Sequence, residues 1–292
     1  MHVLDHGLLY GDGVFEGIRA YNGRLFKLDR HIERLYQSAL AMRIAIPHAP
    51  SELAGIVVDT CRRNGIEDGY VRLVITRGRG GLGIDPSTCR VPEVIVIARP
   101  QIALYKDTSN GVTMVTSSFR RPSADSVSPS IKSLNYVNNV LARMEASDRG
   151  ADEALLLDNN GFVAEASADN VFIVTPTGLA TPPIATNLNG ITRETVVELA
   201  IGMHVPCEVR FFNLYEVWTA REVFICGTGA EIVPVLSVDG RPIGTGQIGP
   251  MTRRFVDAYH RLVQSTGTPI RAAAASAGVP APSAEAPHEL PV

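Results

Sequence analysis

Ser130-Ile131-Lys132-Ser133-Leu134-Asn135-Tyr136 lies near the middle of a 292-residue chain and carries one of only three lysines, the others being Lys27 and Lys106. Arginine outnumbers lysine by 24 to three, so any amine nucleophile must come from these three side chains. Directly after Lys132, Val137, Leu141, Met144 and Glu145 recur at helical spacing and predict a helix over 135–149. A lysine flanked by small and apolar residues can be partly desolvated, which lowers the ammonium pKa and frees the amine for attack on a carbonyl. The other reading is a solvated lysine at a helix start, although a cation there opposes the helix dipole.

Upstream, Leu28, Ile32, Leu35, Ala39 and Met42 predict a helix over 28–44. Ser51 reads as the N-cap of a second helix, with Leu53, Ile56, Val57 and Thr60 following. Tyr70 to Thr76, Glu93 to Ala98 and Val112 to Ser117 are β-branched runs bounded by turns and read as strands. A glycine-rich loop, Arg77 to Gly83, separates the first two. Arg120 to Ser130 holds two prolines and four serines and reads as a linker. Downstream, Ala154–Leu157, Val171–Val174 and Val223–Cys226 read as strands, Asn159-Asn160-Gly161 as a hairpin turn, and 192–201 and 251–263 as helices. From Thr268 onward the chain holds five prolines and an alanine run, the composition of a disordered tail.

Strands and helices alternate loosely, with hairpins in place of strict βαβ units. That order predicts a mixed α/β (α+β) fold and not a Rossmann sheet. No G-x-G-x-x-G or Walker A pattern is present. The expected division is a small N-terminal domain over 1–118, a linker over 119–131, a larger domain over 132–267 and the tail over 268–292.

The composition, 45% hydrophobic and 20% charged, is that of a globular protein long enough for two domains. A net charge of −3 and a pI of about 6.2 argue against a nucleic-acid partner. No apolar run is long enough for a membrane span, and Asp5, His2 and His6 interrupt any signal-peptide core. Cys61, Cys89, Cys207 and Cys226 form no C-x-x-C pair, so neither a metal site nor a disulfide framework is expected, and a reducing cytoplasm fits. Of the seven histidines, His31 reads as structural, off the face of the neighbouring Arg34.

Three further segments carry chemistry in combination. Glu165-Ala166-Ser167-Ala168-Asp169-Asn170 follows the hairpin, and its glutamate could meet a cationic nitrogen or could be a plain turn residue. In Asn189-Gly190-Ile191-Thr192-Arg193, glycine and exposed helix-start amides suit a phosphate, while simple capping by Thr192 or Asn189 explains them equally. Cys226-Gly227-Thr228-Gly229-Ala230-Glu231 ends a strand in a turn that suits an anion or serves only as a turn.

Together and in this order, with Tyr10-Gly11-Asp12-Gly13-Val14-Phe15-Glu16-Gly17-Ile18-Arg19 and His31-Ile32-Glu33-Arg34-Leu35, these segments resemble the fold-type IV, pyridoxal-phosphate-dependent aminotransferases from His2 to Val263. Within that family the chain looks most like the branched-chain amino acid aminotransferases. The resemblance implies a two-domain fold, pyridoxal 5'-phosphate as cofactor, and reversible transamination of leucine, isoleucine or valine with 2-oxoglutarate. It assigns Lys132 to the lysine that binds the cofactor aldehyde and shuttles the proton. Glu165 matches the partner of the pyridine nitrogen. Arg34 matches the phosphate arginine, helped by Ile191, Thr192 and Thr228, and Tyr136 matches the tyrosine on the phenolic oxygen.

For the substrate the resemblance points to Tyr10, Phe15, Gly17 and Tyr70 as an apolar wall. It gives Arg72 to the distal carboxylate of glutamate and the Gly229 amide to the α-carboxylate. It also implies a homodimer whose partner subunit completes the pocket. Tyr70-Val71-Arg72 and Gly81-Leu82-Gly83-Ile84-Asp85-Pro86 favour the branched-chain group over D-amino acid or R-amine transaminases and aminodeoxychorismate lyase on the same scaffold. The chain departs from the family in two places: the strand that usually precedes the segment matching His2 to Tyr10 is absent, and Gly229 replaces a frequent alanine.

Overall fold

The structure is a computed structural model describing residues 1–100 and 110–271. Lys106 and residues 272–292 of the expected tail, including His288, lie outside the described residues. In chain order the elements are α1 (His6–Tyr10), β1 (Gly13–Tyr21), β2 (Arg24–Leu25), α2 (Leu28–Ala41), α3 (Pro50–Arg63), β3 (Gly69–Thr76), β4 (Glu93–Pro100), β5 (Val112–Arg120), α4 (Ala124–Val127), α5 (Val137–Asp148), β6 (Glu153–Leu157), β7 (Val163–Ala166), β8 (Asn170–Thr175), β9 (Gly178–Thr181), α6 (Ile191–Gly202), β10 (Cys207–Val209), α7 (Leu214–Trp218), β11 (Glu222–Gly227), β12 (Glu231–Val238), β13 (Arg241–Pro242), α8 (Pro250–Ser265) and β14 (Thr268–Pro269).

The strands form two sheets. The smaller has the order β14-β2-β1-β3-β4, and the larger runs β10-β9-β8-β11-β12-β5-β6-β7 with β13 on β12. On the small sheet, β1 pairs antiparallel with β3, placing Gly17 opposite Arg72 and Arg19 opposite Tyr70. Helices α2 and α3 cover one face of this sheet. Leu28, Ile32, Leu35 and Ala39 of α2 and Leu53, Val57 and Cys61 of α3 are buried against Ile18, Leu73 and Ile75. Each such leucine or isoleucine contributes about 1.5–3 kcal/mol by leaving water. Against the larger sheet, α6 and α8 bury Val196, Phe255 and Tyr259 on Phe172 and Phe224, whose rings stack at 5.0 Å. Tyr21 and Phe26 of the small sheet join this second core and tie the two halves together.

The expected elements recur with several corrections. Strand β5 pairs with β6 and β12 of the larger sheet, so residue 118, the end expected for the first domain, lies within a strand of that sheet. Helix α5 begins at Val137, and Lys132 stands before it in an extended segment that bridges Val14 to Ser133. Lys132 is therefore fastened to the small sheet: its carbonyl accepts from Phe15 N–H at 3.0 Å, and its own N–H donates to Ser38 Oγ of α2 at 3.2 Å. Ser51 is not a cap; Ala49 is the N-cap and Pro50 takes the first helical position, where its missing N–H is harmless. The tail does not begin at Thr268. β14 pairs with β2, and Ile270 is buried in the small core with its N–H donating to Gly23 O. Among the described residues no helix is long and apolar enough to cross a membrane.

Candidate active site

A cavity of about 490 Å³ is lined from both sheets. Strand β1 contributes Phe15 and Gly17, β3 contributes Tyr70 and Arg72, and α2 contributes Arg34. Lys132 and Tyr136 enter from the segment before α5, Glu165 from β7, Ile191 and Thr192 from the start of α6, and Thr228 and Gly229 from the β11–β12 turn. Twelve of the thirteen residues singled out in the sequence thus meet in one space. The exception is Tyr10, which lies exposed on α1 and donates its hydroxyl to Leu82 O instead of lining the cavity.

Lys132 Nζ lies 3.2 Å from Tyr136 Oη and 4.5 Å from the centroid of the Phe15 ring. Among the described residues it forms no ion pair. Tyr136 is the N-cap residue of α5, and its ring packs edge-on against Phe15 at 5.1 Å. Arg72 lies over Phe15 at 4.4 Å and donates to Tyr70 Oη at 3.3 Å. Gly17 is required beside it: a Cβ there would sit 2.0 Å from Tyr70 Oη.

Glu165 is buried, and burial pushes its carboxyl above the usual range. The nearby Arg121 charge and the Leu188 N–H oppose that push. Arg121 Nε stands 2.8 Å from Glu165 Oε1 as an ion pair, and Leu188 N–H donates to Oε2 at 3.2 Å. Arg121 also donates to Asn139 Oδ1 at 3.1 Å. The carboxylate is thus oriented by groups from a segment that reads as a linker in the sequence.

Arg34 has two of its nitrogens on one buried carboxylate. Nε and Nη2 donate to Glu16 Oε1 and Oε2 at 2.7 and 2.8 Å, and Nη1 donates to Asn189 O at 2.7 Å. His31 Nδ1 lies 2.7 Å from Glu16 Oε2, so His31 shares the Arg34 face, contrary to the sequence reading. Burial lowers the His31 pKa and keeps it neutral, so it donates to Glu16 as a structural group. Burial alone would raise the Glu16 pKa; Arg34 and His31 outweigh it and hold the carboxyl at about 2. The first-turn amides of α6 have no intrahelical partner, and no side chain caps them. Gly190 makes room for Asn170 beside this helix start, because a Cβ there would meet Asn170 Oδ1 at 1.9 Å. Arg34, these amides and the Thr228 hydroxyl together form a clamp for a dianion. Cys226 also lines the cavity, but burial pushes its thiol well up and leaves it un-ionised.

Residues 13–238 match the profile of the amino-transferase class IV family. The chain belongs to this family. It is 47% identical over 258 residues to a putative branched-chain-amino-acid aminotransferase of Methanocaldococcus jannaschii, covering 88% of this chain and 89% of that protein. Its structure is similar to that of the T.th. branched-chain amino acid aminotransferase complexed with N-(5'-phosphopyridoxyl)-L-glutamate, with a TM-score of 0.85, 39% identity, and coverage of 90% and 88% of the two chains. It is also similar to the Escherichia coli branched-chain amino acid aminotransferase, with a TM-score of 0.88, 33% identity, and coverage of 91% and 90%. The mixed α/β architecture of this class IV aminotransferase agrees with those structures.

Proposed function

We propose that this class IV aminotransferase transfers the amino group of leucine, isoleucine or valine reversibly to 2-oxoglutarate, with pyridoxal 5'-phosphate held in the cavity described above. One observation carries the reading. An amine free of ion pairs, a dianion clamp and a buried, oriented carboxylate face the same 490 Å³ space. That donor set fits the cofactor. Lys132 would hold its aldehyde, Arg34 with the Ile191 and Thr192 amides and the Thr228 hydroxyl its phosphate, Tyr136 its phenolic oxygen and Glu165 its ring nitrogen. When bound, the cofactor supplies an electron sink for the charge left at the substrate Cα.

The chain's own residues do the rest. Lys132 takes the proton from the substrate Cα and returns it. The Phe15 ring and the Tyr136 hydroxyl fix the position of its amine. Arg121 pairs with Glu165 at 2.8 Å and opposes, without cancelling, the burial that raises its carboxyl pKa. Phe15 and Tyr70 offer an apolar face to a branched side chain, and the Arg72 guanidinium lying on them meets the second carboxylate of glutamate. The Gly229 amide takes the α-carboxylate. Tyr10 serves the pocket of the partner in a homodimer: it is exposed on α1 and turned away from its own cavity. The exposed Val137, Val140 and Met144 of α5 add an apolar face suited to such an interface. Residues 1–100 with β14 form the small domain, and the chain from β5 to α8 forms the larger one.

The test is a half-reaction. The protein is loaded with pyridoxal phosphate and mixed separately with L-leucine, L-glutamate, D-alanine and an R-amine, while the absorbance of the bound aldehyde is followed. Conversion to the amine form by both L-leucine and L-glutamate is expected. Conversion by D-alanine or the R-amine alone would keep the cofactor and overturn the substrate assignment. Lys132→Ala should abolish both turnover and the bound-aldehyde spectrum.

A further inference from the structure

The turn that carries Thr228 and Gly229 is held from behind by a cluster outside the cavity. Gly227 and Glu231 are the last paired residues of β11 and β12, so the connection is the three residues Thr228, Gly229 and Ala230. The residue that follows this connection and opens β12, Glu231, is left-handed, with φ of 64°. A side chain bearing a Cβ is disfavoured there and persists only when its surroundings hold it.

The surroundings are specific. Glu231 Oε1 accepts from Tyr21 Oη at 2.9 Å and lies 3.2 Å from Arg19 Nη2; Oε2 lies 2.8 Å from His260 Nε2. Burial pushes this carboxyl up, but the hydrogen bonds from His260 and Tyr21 and the Arg19 charge bring it below the usual range. Arg19 has a second arm: its Nη1 donates to the Gly229 carbonyl at 3.2 Å. It is almost fully buried, and its Nε has no hydrogen-bond partner at all. A buried guanidinium with an unpaired donor carries a cost that a purely structural side chain would avoid.

Arg19 points to the same face of β1 as Phe15 and Gly17, since side chains alternate along a strand. The strand that lines the substrate wall therefore also grips the turn of the opposite sheet. Gly229 lacks the Cβ that would restrict its backbone, so its peptide is the one most in need of an external tie.

We propose that Arg19 is a positioning residue for the substrate α-carboxylate. It fixes the Gly229 carbonyl, one peptide unit on from the amide that faces the α-carboxylate, and, through Glu231, the left-handed residue that follows the turn. This rests on the functional reading above, in which that turn receives the α-carboxylate. The bonds of this cluster run to the turn and not to Arg34 or the first-turn amides of α6, so it reaches the phosphate clamp only through Thr228.

The experiment uses the cofactor-loaded enzyme and Arg19→Met, which keeps an apolar stem and removes the hydrogen bond to Gly229 and the ion pair with Glu231. KM should rise on the order of tenfold for L-leucine and L-glutamate alike, with a smaller change in kcat and a much smaller change in the dissociation constant for pyridoxal phosphate, whose phosphate keeps Arg34 and the α6 amides. The equilibrium binding of 4-methylvaleric acid, a branched carboxylate that lacks the reacting amine, should weaken by the same factor. Wild-type KM values, or a loss of cofactor affinity that parallels the loss of substrate affinity, would overturn the proposal. Should Arg19→Met fail to fold, Glu231→Gly and Glu231→Ala decide the question. Glycine accepts the left-handed backbone, so its KM should stay below that of alanine; equal values would overturn the proposal. If the wild type converts neither L-leucine nor L-glutamate, the substrate assignment fails by itself, and the same variants are read with whichever amino acid is converted.

Discussion

Replacing Glu16 with glutamine tests the buried ion cluster behind Arg34. The Glu16 carboxylate accepts from Arg34 Nε, Arg34 Nη2 and His31 Nδ1, all within 2.8 Å, and is fully buried. A carboxamide cannot replace it. Whichever way it is turned, its NH2 faces an Arg34 donor, and the guanidinium loses its counter-charge. The pKa falls from an ordinary 4.5 to about 2, which at 1.36 kcal/mol per unit is roughly 3 kcal/mol of stability. Because the folded pKa is depressed, that stability is complete above pH 4.5 and is lost as pH falls towards 2. At 2–4 °C per kcal/mol, Glu16→Gln should lower Tm at pH 7 by about 6–12 °C. Its stability should also vary less between pH 4.5 and 2 than that of the wild type. The drop should be larger without cofactor than with it, because a bound phosphate supplies the missing negative charge. Thermal unfolding with and without pyridoxal phosphate measures both effects. A variant as stable as the wild type would refute the ion-pair reasoning, and equal drops in the two forms would refute the placing of phosphate at Arg34.

Gly17→Ala puts a methyl 2.0 Å from Tyr70 Oη and should cut kcat/KM for leucine by on the order of tenfold or more while leaving cofactor binding intact. Unchanged kinetics would mean that Tyr70 does not shape the substrate wall. Arg121→Met removes the charge that opposes burial of Glu165, so the acid limb of the pH–kcat profile should move to higher pH. A profile that stays in place would separate Glu165 from that limb. Truncation after Gly267 removes the burial of Ile270 and its backbone bonds to Gly23 and Arg62, which should cost about 2–3 kcal/mol in a urea titration. A neutral result would restore the view that the tail starts at Thr268.

Regular patterns were legible in the sequence, and compensated exceptions were not. The stripes of α2 and α3 and the β-branched runs of β3, β8 and β11 each bury one kind of side chain at one period, so periodicity finds them. Strand β1 hides because all nine of its residues are buried. With no solvent face there is no alternation, and its two glycines with Glu16 and Arg19 look unlike a strand. Strand β12 carries Pro234 and escapes for a similar reason. The site divides in the same way. Lys132, Glu165, Thr192 and Thr228 stand in short motifs whose chemistry is local. Glu16 and Arg121 act on partners remote in sequence, and no spacing rule joins Glu16 to Arg34 or Arg121 to Glu165. Tyr10 stands outside its own chain's cavity because α1 turns its ring towards Leu82.

The bridge between Lys132 and β1 has a mechanical consequence. Phe15 N–H donates to Lys132 O and Leu134 N–H to Gly13 O, so the lysine rides as an added rung of the small sheet. Glu165, the start of α6 and the Thr228 turn ride on the larger half. The two halves are the jaws of a caliper, with the amine on one jaw and the carboxylate that opposes it on the other. A slight rocking between the sheets would alter the gap between these groups while leaving each sheet unstrained. The seam where Tyr21 and Phe26 meet Tyr259 of α8, outside the cavity, is one of the contacts that hold the two halves at this distance, with Arg34 on Asn189 O and Arg19 on Gly229 O. A substitution in that seam can retune chemistry it never touches.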